Sequence, residues 1–152
     1  RVSYMVLPTN ILKSYQEKYS YYDSGVSILT QKTLHSFMKD GYWDKHLRKI
    51  LTQNKKKHNL LKSLLEDKLK SSMKIVSQGG GLAILIQPTA NFDWKKLESL
   101  AIEEKIKVYF AKPRCGGNYQ AVMMGFGGIK EEELENAMNI FSKIWFKCLK
   151  KE

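Results

Sequence analysis

Long hydrophobic runs are missing from this 152-residue chain. The longest, Leu82 to Ile86, is far too short to cross a bilayer, so no membrane span is expected. Arg1 to Pro8 carries no cleavage site and reads as strand, so no signal peptide is expected there. Cysteine is nearly absent. Cys115 and Cys148 stand alone, which excludes a disulfide framework and fits a reducing, cytoplasmic setting. Arginine is scarce as well: Arg1, Arg48 and Arg114 are the three among 26 basic residues. Base-edge readout favours the arginine fork, so the formal charge of +11 points to a lysine-rich solvated surface and not to a nucleic-acid face. Metal-ligand clusters are lacking too. His46 and His58 are roughly three helical turns apart and cannot share an ion, and no metal site is expected.

What is present reads as an α+β unit. Val2 to Leu7 is short, apolar and partly β-branched, which predicts a strand closed by Pro8. Thr9 and Asn10 offer caps for a helix through Tyr19, with Ile11, Leu12, Tyr15 and Tyr19 at helical spacing. A second helix is expected over 28–40, ended by Gly41. One long helix should run from about 42 to 69. Trp43, Leu47, Ile50, Leu51, Leu60, Leu61, Leu64 and Leu65 mark its inner side, interrupted by the polar stretch 53–58. The pattern then changes to strand (73–77), strand (82–87), helix (93–105), strand (106–111), strand (121–126) and helix (130–150). A small, largely antiparallel sheet covered by helices on one side is the expected architecture. A strand entered in its middle, with arginine first, also leads us to expect a piece of something longer.

Few residues suggest chemistry. Gly79-Gly80-Gly81 lacks the Gly-Lys-Ser/Thr and the helix of a phosphate loop, and reads as a turn or bulge before a strand. Cys115 follows Arg114, but no base can be assigned to it, so a catalytic thiol is not expected. Arg114 is the better candidate in that loop, as an anion contact. Arg1, immediately before the first expected strand, is placed either to present a guanidinium at a cleft or merely to lie at the edge of the chain.

Three stretches carry a family resemblance. Arg1 to Pro8 resembles the strand that follows the cofactor lysine in fold-type I aminotransferases. Phe37 to Ile50, with Gly41 and His46-Leu47-Arg48, is similar to their F-x-x-x-G-x-x-x-[RK]-H-[IL]-R-[RK] helix. Met124 to Ile129, followed by Glu131 to Glu133 and Phe141 to Trp145, looks like their terminal segment. The best match is the MocR/GabR group of GntR-type transcriptional regulators, in which a winged helix binds DNA and an aminotransferase-like domain senses an effector.

The resemblance implies that residues 1–40 end the large subdomain and that 41–152 form the small C-terminal subdomain, joined by the linking helix 42–69. It assigns Arg1 to the phosphate of pyridoxal phosphate and puts the Schiff-base lysine upstream of this chain, so no transaminase activity is expected here. It also puts Met123 where true aminotransferases hold the substrate carboxylate with an arginine, with Arg114 as a candidate substitute from the preceding loop. The implied partners are the rest of the large subdomain, the winged helix that contacts DNA, and a second copy of the parent. A fragment of a pyridoxal-phosphate-dependent aminotransferase is the alternative.

Overall fold

The computed structural model describes residues 2–22, 25–78, 81–111 and 120–150. Five α-helices and four strands follow one another as α1 (Thr9–Tyr19), α2 (Ile28–Lys39), α3 (Tyr42–Leu69), β1 (Met73–Ser77), β2 (Ala83–Pro88), α4 (Trp94–Glu103), β3 (Tyr109–Ala111), β4 (Ala121–Gly125) and α5 (Glu131–Cys148). The chain divides into two compact units, Arg1–Arg48 and Lys49–Glu152.

The first unit is helical. The Ser27 hydroxyl accepts from the Thr30 amide and starts α2. Gly41 ends it at φ +76°, a left-handed conformation that side chains disfavour. The Phe37 ring meets those of Tyr42, Trp43 and His46 at 6.0, 6.4 and 6.3 Å, which joins the motif residues on α2 and the first turns of α3. Neither α1 nor α2 contains a buried residue. Ile11, Leu12, Tyr15 and Tyr19 keep their helical spacing but stay exposed.

Two expectations fail in this unit. Residues 2–8 form no strand, and Val2, Tyr4, Met5 and Val6 are exposed. A strand takes its hydrogen bonds from a neighbour, and all four strands of the described sheet lie within 73–125. Helix α1 is capped neither by Thr9 nor by Asn10. Pro8 occupies the cap position, its carbonyl accepts from the Leu12 amide, and no side chain caps the helix.

The second unit holds the sheet, in the order β1-β2-β4-β3 with every pair antiparallel. The register sets Ile75 beside Ile86, Ile84 beside Met124, and Ile86 and Phe110 beside Val122. These positions share one face and form the core with Leu61, Leu65 and Leu69 of α3, Leu97 and Ala101 of α4, and one stripe of α5. That stripe (Leu134, Met138, Phe141, Trp145 and Cys148) repeats at helical spacing. The inner side of α3 is shorter than its pattern suggests. Its buried residues begin at Leu61, beyond the polar stretch, while Leu51 is exposed.

Strand β3 is also shorter than expected, because Ile106 is taken up by the end of α4. The Ile106 amide donates to the Ala101 carbonyl at 2.8 Å and the Lys105 amide to the Ile102 carbonyl at 3.0 Å. Lys105 turns left-handed at φ +57° to allow this. The arrangement is a Schellman-type helix end with lysine where glycine is usual.

Candidate ligand-binding surface

Met123 lies on β4 with Leu85 of β2 and Tyr109 of β3 as its register partners. Side chains alternate along a strand, so these three point away from the core that Val122 and Ile84 enter. Met123 is 39% exposed and Tyr109 48%. The Lys107 ammonium sits 5.0 Å from the centre of the Tyr109 ring. Tyr109 raises the Lys107 pKa above its ordinary value, through side-chain hydrogen bonding first and charge second. The open face of the sheet is thus an apolar strip with a protonated amine at one edge. It can hold an apolar group or attract an anion. Met123 itself cannot pair with a carboxylate.

Arg1, Arg114 and Cys115 lie outside the described residues, as do Gly79 and Gly80 of the glycine run. Of the three residues expected to touch cofactor or ligand, Met123 is therefore the one whose surroundings are described. Among the histidines, His58 packs edge-on against Phe126 with ring centres 5.7 Å apart. No group of three or more metal-ligating side chains occurs among the described residues. No helix there is long and apolar enough to cross a membrane.

A Schiff-base amine is usually desolvated to lower its pKa, and none of the described lysines is buried. The least exposed of them include Lys57, whose ammonium donates to the carbonyls of Ile129 at 2.6 Å and Gly127 at 3.4 Å. Cys148 is buried, donates to the Ile144 carbonyl, and is held in its thiol form by desolvation. It has no access to a substrate.

Sequence reasoning missed Lys105, Lys107 and the space beside them. The β3–β4 ladder stops at Tyr109 and Met123. From there Ile106–Val108 parts from β4, and a cavity of about 320 Å³ opens, lined also by Leu61 of α3 and by α5. The alternation of Ile106, Val108 and Phe110 with Lys107 and Tyr109 was legible as a strand. Nothing in it marks where the ladder ends.

The geometry has close counterparts. The α-aminoadipate aminotransferase LysN of Thermus thermophilus, solved with N-(5'-phosphopyridoxyl)-L-leucine, superposes with a TM-score of 0.72 over 93% of this chain and 36% of its own, at 16% identity. The chain thus has an α+β fold of the fold-type I aminotransferase kind. In sequence it is similar to two HTH-type transcriptional regulators of Bacillus subtilis (strain 168), both named as uncharacterized. YdeL is 29% identical over 151 residues, and YhdI is 23% identical over 147. Each match covers 95% of this chain. No protein-family profile matches. The chain spans about a third of the length of these relatives, 32% and 31%. It is an aminotransferase-like segment related to HTH-type regulators.

Proposed function

We propose that this chain is the C-terminal, effector-sensing part of the aminotransferase-like domain of a MocR-type regulator of the GntR family, acting in the cytoplasm. The observation that carries the reading is the conjunction of regulator relatives along 95% of the chain with an aminotransferase fold. In this reading residues 1–40 end the large subdomain and 41–152 make the small one. Pyridoxal phosphate belongs to the parent protein, where it supplies an electrophilic aldehyde for an amine. Arg1 would hold its phosphate, and the amine that binds it lies upstream. The parent contacts DNA through a winged helix and pairs as a homodimer. Effector binding closes the small subdomain and shifts the population of DNA-binding arrangements.

One feature supports a sensing role over turnover. Met123 offers no charge to a substrate carboxylate on the open sheet face. The helices of the first unit leave apolar side chains uncovered, among them Ile11, Tyr15, Ile28 and Leu29, as expected of a surface that packs against the remainder of a larger domain. The likeness to LysN keeps the second reading, a fragment of a pyridoxal-phosphate-dependent aminotransferase, in view.

Borohydride trapping with pyridoxal phosphate tests the assignment. This chain should label weakly and at scattered lysines, and the full-length protein at one lysine upstream of Arg1. Stoichiometric labelling of one lysine within the chain would overturn the reading. Gel-shift assays with the full-length protein and its own upstream DNA should respond to pyridoxal phosphate. Steady transamination by that protein would favour the enzyme reading.

A further inference from the structure

The cavity beside Ile106–Val108 has the make-up of a ligand pocket. Its walls include Leu61, Ile106, Val108, Met124, Met138 and Phe141, drawn from α3, the segment before β3, β4 and α5. At about 320 Å³ it exceeds an ordinary packing defect and falls at the lower end of the range for small-molecule sites. Lys105 and Lys107 are the charged residues lining it, both exposed, and no carboxylate joins them. An apolar interior is thus entered past two cations.

The position of Lys105 adds to this. Its φ of +57° is one that glycine adopts freely and lysine only at a cost. The helix end would form more readily with glycine, yet the residue present is a lysine that lines the cavity. Lys107 is kept protonated by Tyr109. The site lies on the core side of the sheet, at the end of β4 away from Ala121. Met123 and Lys107 line it as well, so its mouth borders the open face of the sheet.

We propose that this cavity binds a small apolar carboxylate, with the hydrocarbon tail among Leu61, Met124 and Phe141 and the carboxylate at Lys105 and Lys107. The inference is independent of the regulator reading. It requires only the second unit of this chain.

The test is a titration of the full 152-residue chain, ¹⁵N-labelled, with octanoate, 1-octanol and octylamine. Octanoate should shift the amides of Val108, Met124 and Gly125 saturably. It should bind about tenfold more tightly than octylamine, a difference of about 1.4 kcal/mol between an attracted and a repelled head group. Ala137→Phe, which projects a ring into the cavity, should abolish binding of both octanoate and octanol. The surface pair Lys105→Gln and Lys107→Gln should leave octanol binding intact and remove the advantage of octanoate over octanol. That pair decides the matter if Ala137→Phe does not fold. Absence of saturable shifts at millimolar octanoate, equal binding of octylamine, or unchanged binding by a folded Ala137→Phe variant would each overturn the proposal.

Discussion

The indole Nε1 of Trp145 donates to the Ser72 hydroxyl at 3.0 Å, and that hydroxyl donates in turn to the Leu69 carbonyl. Trp145 is fully buried on α5, its ring 4.5 Å from that of Phe92 and 5.8 Å from that of Phe141. The bond ties α5 to the turn that carries the chain from α3 into β1. Ser72→Ala should strand the buried indole donor and cost about 1–3 kcal/mol. Trp145→Phe should cost more through lost volume, and the two changes together less than their sum. Urea unfolding of the three variants measures the coupling.

Lys57 makes a comparable tie. Its ammonium satisfies two carbonyls of the 127–129 turn that leads into α5. Lys57→Met keeps the stem and removes the donors, and should cost about 1–2 kcal/mol. Lys56 nearby is also paired, with Glu131 at 2.8 Å, but that pair is exposed. Lys56→Met should change stability by less than about 1 kcal/mol, and salt should narrow even that difference.

Left-handed backbone positions should respond with opposite signs. Gly41→Ala puts a side chain at φ +76° and should destabilise the end of α2 by about 1 kcal/mol. Lys105→Gly relieves a side chain at φ +57° and should raise the melting temperature. Thermal unfolding followed by circular dichroism reports both.

Burial raises the pKa of Cys148 above its ordinary 9.0, opposed by the charge of Lys96. The folded state therefore holds the thiol proton more tightly than the unfolded chain does. That contribution is complete below the unfolded value and is lost as pH rises through the folded one, so stability should fall on the alkaline side of about pH 9. In a Cys115→Ser background, Ellman's reagent should reach Cys148 only as fast as the protein unfolds. A Cys148→Ala variant should show a shallower alkaline loss.

The alternation on β4 gives a sharp contrast between adjacent residues. Met123→Arg places its charge on the open face and should alter stability by about 0.5 kcal/mol or less. Val122→Arg buries an unpaired charge at a fully enclosed position and should prevent folding or cost more than about 3 kcal/mol. Equal tolerance of the two would contradict the register of β4 against β2 and β3.

Much of the architecture is legible along the chain because it is locally encoded. The bounds of α3 and β1 follow from hydrophobic spacing and from the breaks at Gly41 and Lys70-Ser71-Ser72. The start of α4 follows from Asp93, whose carboxylate accepts from the Lys96 amide. The acids of 131–133 mark the start of α5. The resemblance read from the Phe37–Ile50 helix and the Met124–Trp145 segment agrees with the fold and with the regulator relatives. Arg1 and Arg114, by contrast, were chosen by position, and the described residues include neither.

By itself, then, the sequence determined the order and type of nearly every element. Each follows from side-chain chemistry and short-range periodicity. Only the tertiary structure decided that residues 2–8 form no strand, that the buried part of α3 starts at Leu61, and that the β3–β4 ladder ends at Tyr109. A strand exists by virtue of a partner, and burial by virtue of what covers it. The cavity beneath Lys105 and Lys107 has the same origin: it is the space left where two chain segments with strand-like sequences part.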